Sequence, residues 1–458
     1  MSATEIAHVT GGTVLTSSGD ARATSVTIDS RATKHGALFV ALSAARDGHD
    51  FVDDSFEAGA SIALVEREVA STRRDVALVK VSNTVRALSA LAHEARRLMR
   101  DVVVVGITGS AGKTATKNLT QAALARTHRV HASPASFNNE AGLPLTLLGA
   151  PDDVQVVVAE MGARFEHNIA DLAKVAEPQV GVITHIGLAH AGHLGGRDGI
   201  TRVKGELIEA LPASGLAVLN GDCDRSAELA TLTSARVLRV GRAGTNDVRT
   251  TDITLDADLQ PRFTIETPWG TAAVALSVRG EHQVENAAQA AVVALELGAP
   301  LDDVILGLGD ARGEAQRMEL VRTPDGVIVL NDAYNSSPTS AAAAVRSLAS
   351  LDASGRRIAV LGEMLELGDS AAVEHEAIGA LAGAIGIDLV VAVGAYADSI
   401  AKGASGTHTD VVTVADPVAA SEVLAQEVRS GDAVLVKASR AIGLERVAEE
   451  LVRAGVRP

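Results

Sequence analysis

Length, composition and charge limit the fold class and the partners of this chain. Its 458 residues predict about three domains, since one domain usually takes roughly 100–200 residues. Hydrophobic residues make up 47% and charged residues 21%, which excludes global disorder and a collagen-like repeat. The formal net charge of −16 repels nucleic-acid phosphates and anionic lipid, so we expect small-molecule substrates and no nucleic-acid or membrane-surface partner.

The cysteine content and the apolar stretches indicate a cellular compartment. Cys223 is the only cysteine, so an intrachain disulfide is excluded and a reducing environment is expected. Residues 1–12 have neither the basic region nor the apolar core of a signal peptide. The longest apolar stretch, residues 377–397, is interrupted by glycines and Asp388 and is not a membrane span. We therefore expect a cytoplasmic protein, and we expect it to be a monomer.

The first hundred residues predict a small α/β domain. Short apolar stretches at residues 37–42, 61–65 and 75–81 are typical of strands. Between residues 84 and 100 the apolar side chains recur at i, i+3, i+4 and i+7, which predicts one amphipathic helix. We place this domain at residues 1–100.

The middle of the chain predicts a doubly wound sheet. The continuous β-branched run from Val102 to Val105 is typical of a strand buried on both faces of a parallel sheet. Further strands at residues 154–162 and 180–187 alternate with helical segments. Strand-like alternation follows over residues 234–280, and a helix is predicted at 283–297. We place this domain at residues 101–312 and interpret the glycine-containing, charged segment 307–317 as a linker.

The last third predicts a Rossmann-like domain at residues 313–458. Five apolar strands end in polar or glycine residues and are separated by helical sequence: VIVLNDAY, RIAVLGEM, LVVAVGA, DVVTVAD and AVLVKAS. The predicted fold class is therefore α/β with three domains.

A phosphate-binding loop is predicted between Gly106 and Thr114. A buried strand runs into a glycine-rich turn, and Lys113 and Thr114 then open a helix. Glycines let backbone N–H groups approach an anion, the lysine neutralises phosphate charge, and the threonine hydroxyl ligates Mg²⁺. The strict phosphate-loop pattern would have glycine where Ile107 stands, so an ordinary strand-to-helix turn is the alternative.

Three further positions carry groups that suit a metal site. Glu160 follows a buried strand, and hard cations such as Mg²⁺ prefer carboxylate oxygen. His185, His190 and His193 crowd the end of the next strand, although each alone is typical of a hydrogen-bonded loop residue. Lys204, taken alone, is typical of a solvated helix lysine.

The phosphate loop TGSAGKT resembles that of the Mur ligases, the ATP-dependent amide-bond formers of peptidoglycan precursor synthesis. The resemblance extends over the whole chain in order and spacing. The segments that carry it are DSRATKHGALFVAL, DGHDFVDDSFEAGA, SFNNEAGLPLTLL, AEMGA, ITHIGLAHAGHLG and VKGELIEAL. It implies a small N-terminal domain that binds the UDP-linked precursor, a central ATPase domain and a C-terminal Rossmann-like domain.

The resemblance also implies roles for individual residues. Catalytic roles fall on Lys113, Lys204 and His190. Metal ligands are Thr114, Glu160, His190 and Lys204, the last as a carbamate formed with CO₂; two Mg²⁺ ions are expected, and Mn²⁺ is expected to substitute. ATP contacts are Thr108, Gly109, Ser110, Ala111, Gly112, Lys113, Thr114, His282, Asn286, Arg317, Asp332 and Tyr334. Contacts to the UDP-linked precursor are Asp29, Ser30, Arg31, His49, Asn138 and Asn139.

Within the family, two C-terminal segments resemble the member that adds D-alanyl-D-alanine to UDP-N-acetylmuramoyl-tripeptide. They are NDAYNSSPTS and LGEMLELGDSAAVEH, and Lys437, Ser439 and Arg440 also match. The implied reaction activates the tripeptide carboxylate as an acyl phosphate, which the dipeptide amine then attacks. This is the last cytoplasmic peptide addition to the precursor of the cell wall, on which cell shape and division depend. Departures from the pattern are a shorter loop in SAARDGHDF, Gln283 for a common Asn, and NSSP for NANP.

Two alternatives stay open at this point. Another Mur-type or folylpolyglutamate-type amide ligase would share the phosphate loop, although the N-terminal DSR and DGHDF segments favour a Mur ligase. A nucleotide switch without chemistry would be expected to carry an NKxD-type base-specificity loop, which the sequence lacks.

Overall fold

The structure is a computed structural model that describes residues 1–16, 21–69, 73, 75–188 and 191–455. Three β-sheets follow one another along the chain, each covered by helices. The first contains five strands in the order β1-β5-β4-β3-β2, of which only the β1–β5 pair is antiparallel. Its elements are α1 (Ala3–Thr10), β1 (Thr13–Thr16), β2 (Ser25–Thr27), β3 (Ala37–Val40), α2 (Val52–Glu57), β4 (Ala60–Val65), β5 (Ala77–Lys80) and α3 (Thr84–Leu98).

The central sheet has nine strands in the order β14-β13-β12-β11-β10-β9-β6-β8-β7, parallel from β7 to β12. Its elements are β6 (Val103–Thr108), α4 (Lys113–Leu124), β7 (Val130–Ala132), α5 (Gly142–Leu148), β8 (Val156–Glu160), α6 (Asn168–Ala176), β9 (Val180–Ile183), α7 (Ala191–Leu194), α8 (Gly196–Glu209), β10 (Leu216–Asn220), α9 (Ser226–Ala230), β11 (Arg236–Gly241), β12 (Val248–Leu255), β13 (Pro261–Thr267), β14 (Gly270–Ala275), α10 (Gln283–Glu296) and α11 (Leu301–Asp310).

The third sheet has six strands in the order β15-β16-β20-β17-β18-β19, with β15 antiparallel to β16. Its elements are β15 (Glu319–Arg322), β16 (Ile328–Asn331), α12 (Pro338–Ser350), β17 (Arg357–Leu361), α13 (Ala371–Ala384), β18 (Leu389–Val393), α14 (Ala397–Ala404), β19 (Asp410–Val414), α15 (Pro417–Glu427), β20 (Ala433–Lys437) and α16 (Glu445–Gly455). The predicted α/β class is confirmed.

Aliphatic side chains build these cores, as the 2% aromatic content requires. The strands β6, β8 and β9 are almost wholly buried because helices cover both faces of the central sheet. On one face lies α10, whose buried side chains are mainly alanine and valine and allow close approach to α4. On the other face lie α5, α6 and α8. The central sheet therefore holds its three middle strands rigidly at the edge where the phosphate loop begins.

One prediction about the chain path is wrong in part. The segment 307–317 was expected to be a linker, but α11 continues to Asp310. Gly307 packs against α4, where an added Cβ would lie 2.3 Å from the carbonyl oxygen of Ala122. The glycine therefore serves close helix packing and does not loosen the chain. Among the described residues, none of the helices combines the length and the hydrophobicity that a membrane-spanning segment needs.

Candidate active site

The site forms where three neighbouring parallel strands of the central sheet end. β6 lies between β8 and β9, with Ile107 paired to Glu160 and Thr108 paired to Ile183. The phosphate loop after β6 therefore begins between Glu160 at the end of β8 and Thr184 just after β9. Ligands bind at this edge of open α/β sheets because loops and helix N-termini converge there.

Two glycines shape the phosphate loop. Gly109 has φ +150° and Gly112 has φ +82°, and both are conformations that L side chains rarely adopt. A Cβ on Gly109 would lie 2.0 Å from Thr184 Oγ1, and one on Gly112 would lie 2.6 Å from Asn286 Oδ1. The loop therefore has no room for side chains at either position, and its backbone faces the N-terminus of α4, where the first N–H groups lack helical partners.

Hydrogen bonds to the neighbouring strand end hold the loop in place. Ser110 Oγ donates to the Gly187 oxygen at 2.7 Å, and the Ser110 amide donates to the His185 oxygen at 2.8 Å. Thr184 Oγ1 donates to the Ala111 oxygen at 2.5 Å. Thr108, predicted to contact ATP, is buried and its hydroxyl donates to the Met161 oxygen at 2.8 Å. Its hydroxyl is thus bonded to the residue that follows β8, and its role toward ATP stays a prediction.

Lys113, Thr114 and Glu160 come together at the start of α4. Lys113 Nζ donates to the Gly109 oxygen at 2.8 Å, which curls the side chain over the loop. Thr114 Oγ1 donates to Glu160 Oε2 at 2.9 Å, and Asn138 Nδ2 donates to Glu160 Oε1 at 2.8 Å. Burial lowers the pKa of Lys113, while the nearby Glu160 carboxylate opposes that shift. A hydroxyl and a carboxylate are thus adjacent at the helix N-terminus.

Lys204 lies in α8 and is only 1% exposed, so it is not the solvated lysine that its sequence alone suggests. Burial, together with the positive charge of Lys113, lowers its pKa to about 7, against the attraction of Glu206 and Glu160. The neutral amine is therefore well populated near neutral pH. Two residues on, Glu206 accepts the backbone N–H groups of His167 at 2.7 Å and Ala170 at 2.9 Å, and so caps α6.

The N-terminus of α10 contributes three polar side chains. Asn286 Nδ2 donates to Gln283 Oε1 at 3.0 Å, and Asn286 Oδ1 accepts from Thr116 Oγ1 at 3.2 Å. The Nδ1 atom of His282 is buried without a hydrogen-bond partner within the described residues. Burial lowers the pKa of His282, which favours the neutral ring. An unpaired ring nitrogen beside two amides suits a ligand that supplies hydrogen-bonding groups.

The C-terminal domain reaches into the same place. Arg317 Nη2 donates to Thr114 Oγ1 at 3.3 Å, and its guanidinium lies 3.9 Å from the centre of the Tyr334 ring. The Tyr334 hydroxyl and Ser136 Oγ are 3.0 Å apart. Arg440 lies over the same ring at 4.9 Å. These contacts bring a second domain against the phosphate loop.

Asp332 is fixed by a buried ion pair at the ends of β16 and β20. Lys437 Nζ lies 2.7 Å from Asp332 Oδ2 and donates to the Asn335 oxygen at 2.7 Å. Asp332 Oδ1 accepts from the Met318 amide at 3.1 Å.

A further contact between the domains involves Gly192. Its amide donates to the Glu366 oxygen at 3.2 Å. A Cβ on Gly192 would lie 2.8 Å from the backbone nitrogen of Gly368, so the two glycines pack closely.

Most of these groups line one cavity of about 880 Å³, whereas Thr108, Gly109 and Lys204 do not lie on its wall. The predicted residues on its wall are Ser110, Ala111, Gly112, Lys113, Thr114, Asn138, Asn139, Glu160, His282, Asn286, Arg317, Asp332 and Tyr334. The predicted metal ligand His190 lies outside the described residues. No group of three or more His, Cys, Asp or Glu side chains suited to a metal occurs among the residues that are described.

The four N-terminal residues predicted to bind the precursor do not line this cavity. Asp29 caps the 3₁₀ turn Ser30–Ala32 and pairs with Arg31 at 2.8 Å, which lowers the pKa of Asp29 to about 2. His49 is 3% exposed, with Nδ1 2.6 Å from Asp47 Oδ1 and Nε2 accepting the Glu66 amide at 2.8 Å. His49 therefore joins two loops of the first domain, and its contact with the precursor stays a prediction.

Sequence reasoning missed three side chains that shape the site. Thr184 braces the phosphate loop, Glu206 caps α6, and Lys117, one turn after Lys113, is 2% exposed in α4. Lys117 lies four residues after Lys113, and its place among the buried residues of the same helix was the available signal. For Thr184 the available signal was its position directly after a buried strand.

Comparison with known proteins finds matches to all three domains. Family models match residues 22–96 (Mur ligase family, catalytic domain), 107–294 (Mur ligase middle domain) and 316–440 (Mur ligase, glutamate ligase domain). The UDP-N-acetylmuramoyl-tripeptide–D-alanyl-D-alanine ligase of Mycobacterium bovis is 41% identical, over 98% of this chain and 97% of that protein.

Two solved structures share the whole architecture. MurF from Acinetobacter baumannii superposes with a TM-score of 0.90 at 30% identity, covering 99% of this chain and 98% of that chain. The MurF ligase of Thermotoga maritima in complex with ADP has a TM-score of 0.81 at 30% identity, covering 95% and 98%. The resemblance seen in the sequence is confirmed, and the chain belongs to the Mur ligase family.

Proposed function

We propose that this chain joins D-alanyl-D-alanine to UDP-N-acetylmuramoyl-tripeptide, with cleavage of ATP to ADP and phosphate. One observation carries the proposal: the cavity unites the phosphate loop of the central domain with Arg317 and Tyr334 of the C-terminal domain. Relatives that match this chain from end to end are named for that reaction, and one was solved with ADP. The tripeptide carboxylate takes the γ-phosphoryl group of ATP, and the dipeptide amine then displaces phosphate.

The phosphate loop supplies the charge that phosphoryl transfer needs. The N-terminus of α4 and the Lys113 ammonium face the β- and γ-phosphates, where negative charge spreads over the transferring group. Arg317 approaches Thr114 from the C-terminal domain and adds a second positive charge. Because Arg317 comes from another domain, the charge arrangement is complete only when the two domains are together. This excludes water from an acyl phosphate that would otherwise hydrolyse.

The residues at the helix start fit Mg²⁺. Thr114 Oγ1 and Glu160 Oε2 are 2.9 Å apart and are joined by a hydrogen bond. Both oxygens would be available to hold one Mg²⁺ ion once that hydrogen bond is broken. Mg²⁺ typically takes one or two carboxylates and completes its shell with substrate phosphates and water, so a cluster of three acidic side chains is not needed. Bound there, Mg²⁺ neutralises phosphate charge. We infer His190 as a further ligand from the family resemblance.

Lys204 fits a carbamate. CO₂ reacts only with a neutral amine, and a pKa of about 7 supplies that form at a buried position within the electrostatic influence of Glu160 and Lys113. The amine nitrogen bonds to the carbon of CO₂ and one proton is released, which leaves a carboxylate-like group on the side chain. This group would replace a cation by an anion beside Lys113 and offer oxygen ligands to a second Mg²⁺.

Domain boundaries and the precursor site are inferred as well. We place the domains at 1–100, 101–312 and 313–458, because the first sheet ends before α3, the second begins at Val103, and the third begins after α11. Asp29, Ser30, Arg31 and His49 would bind the uridine nucleotide in the first domain, and Asn138 and Asn139 the peptide end beside Glu160. Because ATP and UDP-linked sugars are cytoplasmic compounds, we also propose a cytoplasmic, monomeric enzyme.

A substrate panel tests this function. Phosphate release should require ATP, UDP-N-acetylmuramoyl-tripeptide and D-alanyl-D-alanine together, with UDP-N-acetylmuramoyl-pentapeptide as the product seen by mass spectrometry. The panel includes shorter precursors with D-glutamate or diaminopimelate, and tripeptides with diaminopimelate or lysine at the third position. Equal turnover with a shorter precursor and a free amino acid would show that the chain is a different amide ligase.

A further inference from the structure

Lys117 is a buried cation that the phosphate chemistry leaves without a role. It lies in α4 one turn beyond Lys113 and is only 2% exposed. Lys117 Nζ donates to the Ser133 oxygen at 2.7 Å and to the Ala135 oxygen at 2.7 Å. Burial lowers the pKa of Lys117, while the carboxylates of Glu160 and Glu314 favour its charged form. A buried lysine that holds two backbone carbonyls is a fixed point in the structure.

The segment that Lys117 holds, residues 133–140, is strained and irregular. Ala135 has φ +45°, in the left-handed region that alanine rarely adopts. Such a conformation persists only where the surroundings impose it. The two carbonyls bound by Lys117 belong to the first and third residues of this segment, so the ammonium group bridges the part of the segment that contains the strained Ala135. We call residues 133–140 the 133–140 loop.

The 133–140 loop delivers three contacts to the active site. Ser133 Oγ accepts the Glu160 amide at 3.1 Å, and Asn138 Nδ2 donates to Glu160 Oε1 at 2.8 Å. Ser136 Oγ lies 3.0 Å from the hydroxyl of Tyr334 in the C-terminal domain. Ser136, Asn138, Asn139 and Glu140 line the cavity beside the phosphate loop. The loop thus borders the place where a substrate carboxylate must meet the γ-phosphate.

We propose that Lys117 is a positioning residue for the precursor: its ammonium group fixes the 133–140 loop in the conformation in which Asn138 and Asn139 receive the peptide end of the substrate. This inference rests on the proposed function, because it takes the peptide end of the UDP-linked precursor as the ligand of the loop. Both hydrogen bonds that its ammonium group makes in the described structure go to the 133–140 loop, so we expect nucleotide affinity to depend on Lys117 far less than precursor affinity does. Two lysines on one helix therefore serve two substrates.

The test compares Lys117→Met with the wild type and with Lys174→Met, which removes an exposed lysine of α6. Binding of UDP-N-acetylmuramoyl-tripeptide and of ADP is measured by calorimetry, and hydrogen exchange is followed by mass spectrometry. In Lys117→Met we expect precursor affinity to fall roughly tenfold or more, because two charge-assisted hydrogen bonds are lost. ADP affinity should stay within about threefold, and faster exchange should be confined to the 133–140 loop.

A chemical rescue separates the ammonium group from mere packing. Because Cys223 is the only cysteine, Lys117→Cys in a Cys223→Ser background carries a single thiol. Alkylation of that thiol with bromoethylamine, before refolding, rebuilds an ammonium group at nearly the length of lysine. The aminoethylated protein should regain precursor affinity and slow exchange in the loop, relative to the unmodified protein in the same background.

Each outcome decides the proposal. Unchanged precursor affinity in Lys117→Met, or an equal loss of ADP affinity, would overturn it. If the wild type does not bind the precursor, the proposed function fails, and the exchange data alone decide whether Lys117 fixes the 133–140 loop. Slow exchange of the 133–140 loop in Lys117→Met would then refute that part of the proposal, and fast exchange that aminoethylation reverses would support it.

Discussion

Lys204 gives the sharpest prediction because its environment changes its chemistry. An amine with the ordinary pKa of 10.5 is neutral in on the order of one molecule in 3,000 at pH 7, whereas a pKa of about 7 makes about half of it neutral. That is a gain of about a thousandfold in the form that reacts with CO₂. We therefore expect the purified protein, given ¹³C-bicarbonate, to show a carbamate carbon signal by NMR that Lys204→Ala lacks.

The activity of Lys204 variants then tests what the charge does. Lys204→Ala should lose on the order of 10²–10³ in kcat, as when other electrostatic groups are removed from active sites. Millimolar acetate or formate should restore part of that loss by supplying the missing carboxylate. Lys204→Arg keeps the positive charge but forms no carbamate, so it should be equally inactive and harder to rescue, since its bulk fills the space.

The pH dependence adds an independent check with a defined sign. Because the pKa of Lys204 is lowered, its neutral fraction is nearly complete above pH 8 and falls about tenfold for each pH unit below 7. Activity in CO₂-depleted buffer should therefore be lost most steeply on the acidic side and restored there by added bicarbonate. Robust turnover by Lys204→Arg in CO₂-free buffer would refute the reasoning, because it would show that the site needs a cation.

Three further substitutions test other parts of the site. Lys113→Met should lower kcat by about 10²–10³, and steady-state activity within about threefold of wild type would contradict its phosphate role. Gly192→Ala places a methyl 2.8 Å from a backbone nitrogen of the C-terminal domain, so kcat should fall while ADP affinity is kept. Gly244→Ala, with nothing within 4 Å of the added carbon, is its control. Lys437→Met leaves Asp332 without its ion pair and should lower the free energy of unfolding in urea by about 3 kcal/mol, with partial recovery when Asp332→Asn is added.

Features encoded by neighbouring residues were predictable from the sequence. The strand β6, the turn and the start of α4 follow from a β-branched run, two glycines and a lysine, all within twelve residues. Glu160 was found in the same way, since a carboxylate that follows a buried strand lies at the binding edge of the sheet. The linker at 307–317 was misplaced because Gly307, which lowers helix propensity, is required for packing against α4.

Buried polar groups were harder to predict, because a lysine in an amphipathic helix has the same sequence pattern whether it faces water or a carbonyl pair. Lys204 was singled out only by family resemblance, and Lys117 was not singled out at all. His49 is a different case: its motif predicts a ligand contact, both ring nitrogens are engaged within the first domain, and the contact with the precursor stays a prediction. Which face of a helix is buried depends on tertiary packing, and the spacing of residues along the sequence does not show it.

Contacts between the domains could not be predicted from neighbouring residues in the sequence. Thr114 is bonded to residues 46 and 203 positions away, Glu160 and Arg317, which only the folded chain brings together. The Arg317 guanidinium stacks on Tyr334, and Tyr334 bonds to Ser136, so one rigid group touches both the phosphate loop and the 133–140 loop. Rotation of the C-terminal domain away from the central sheet would break both contacts together.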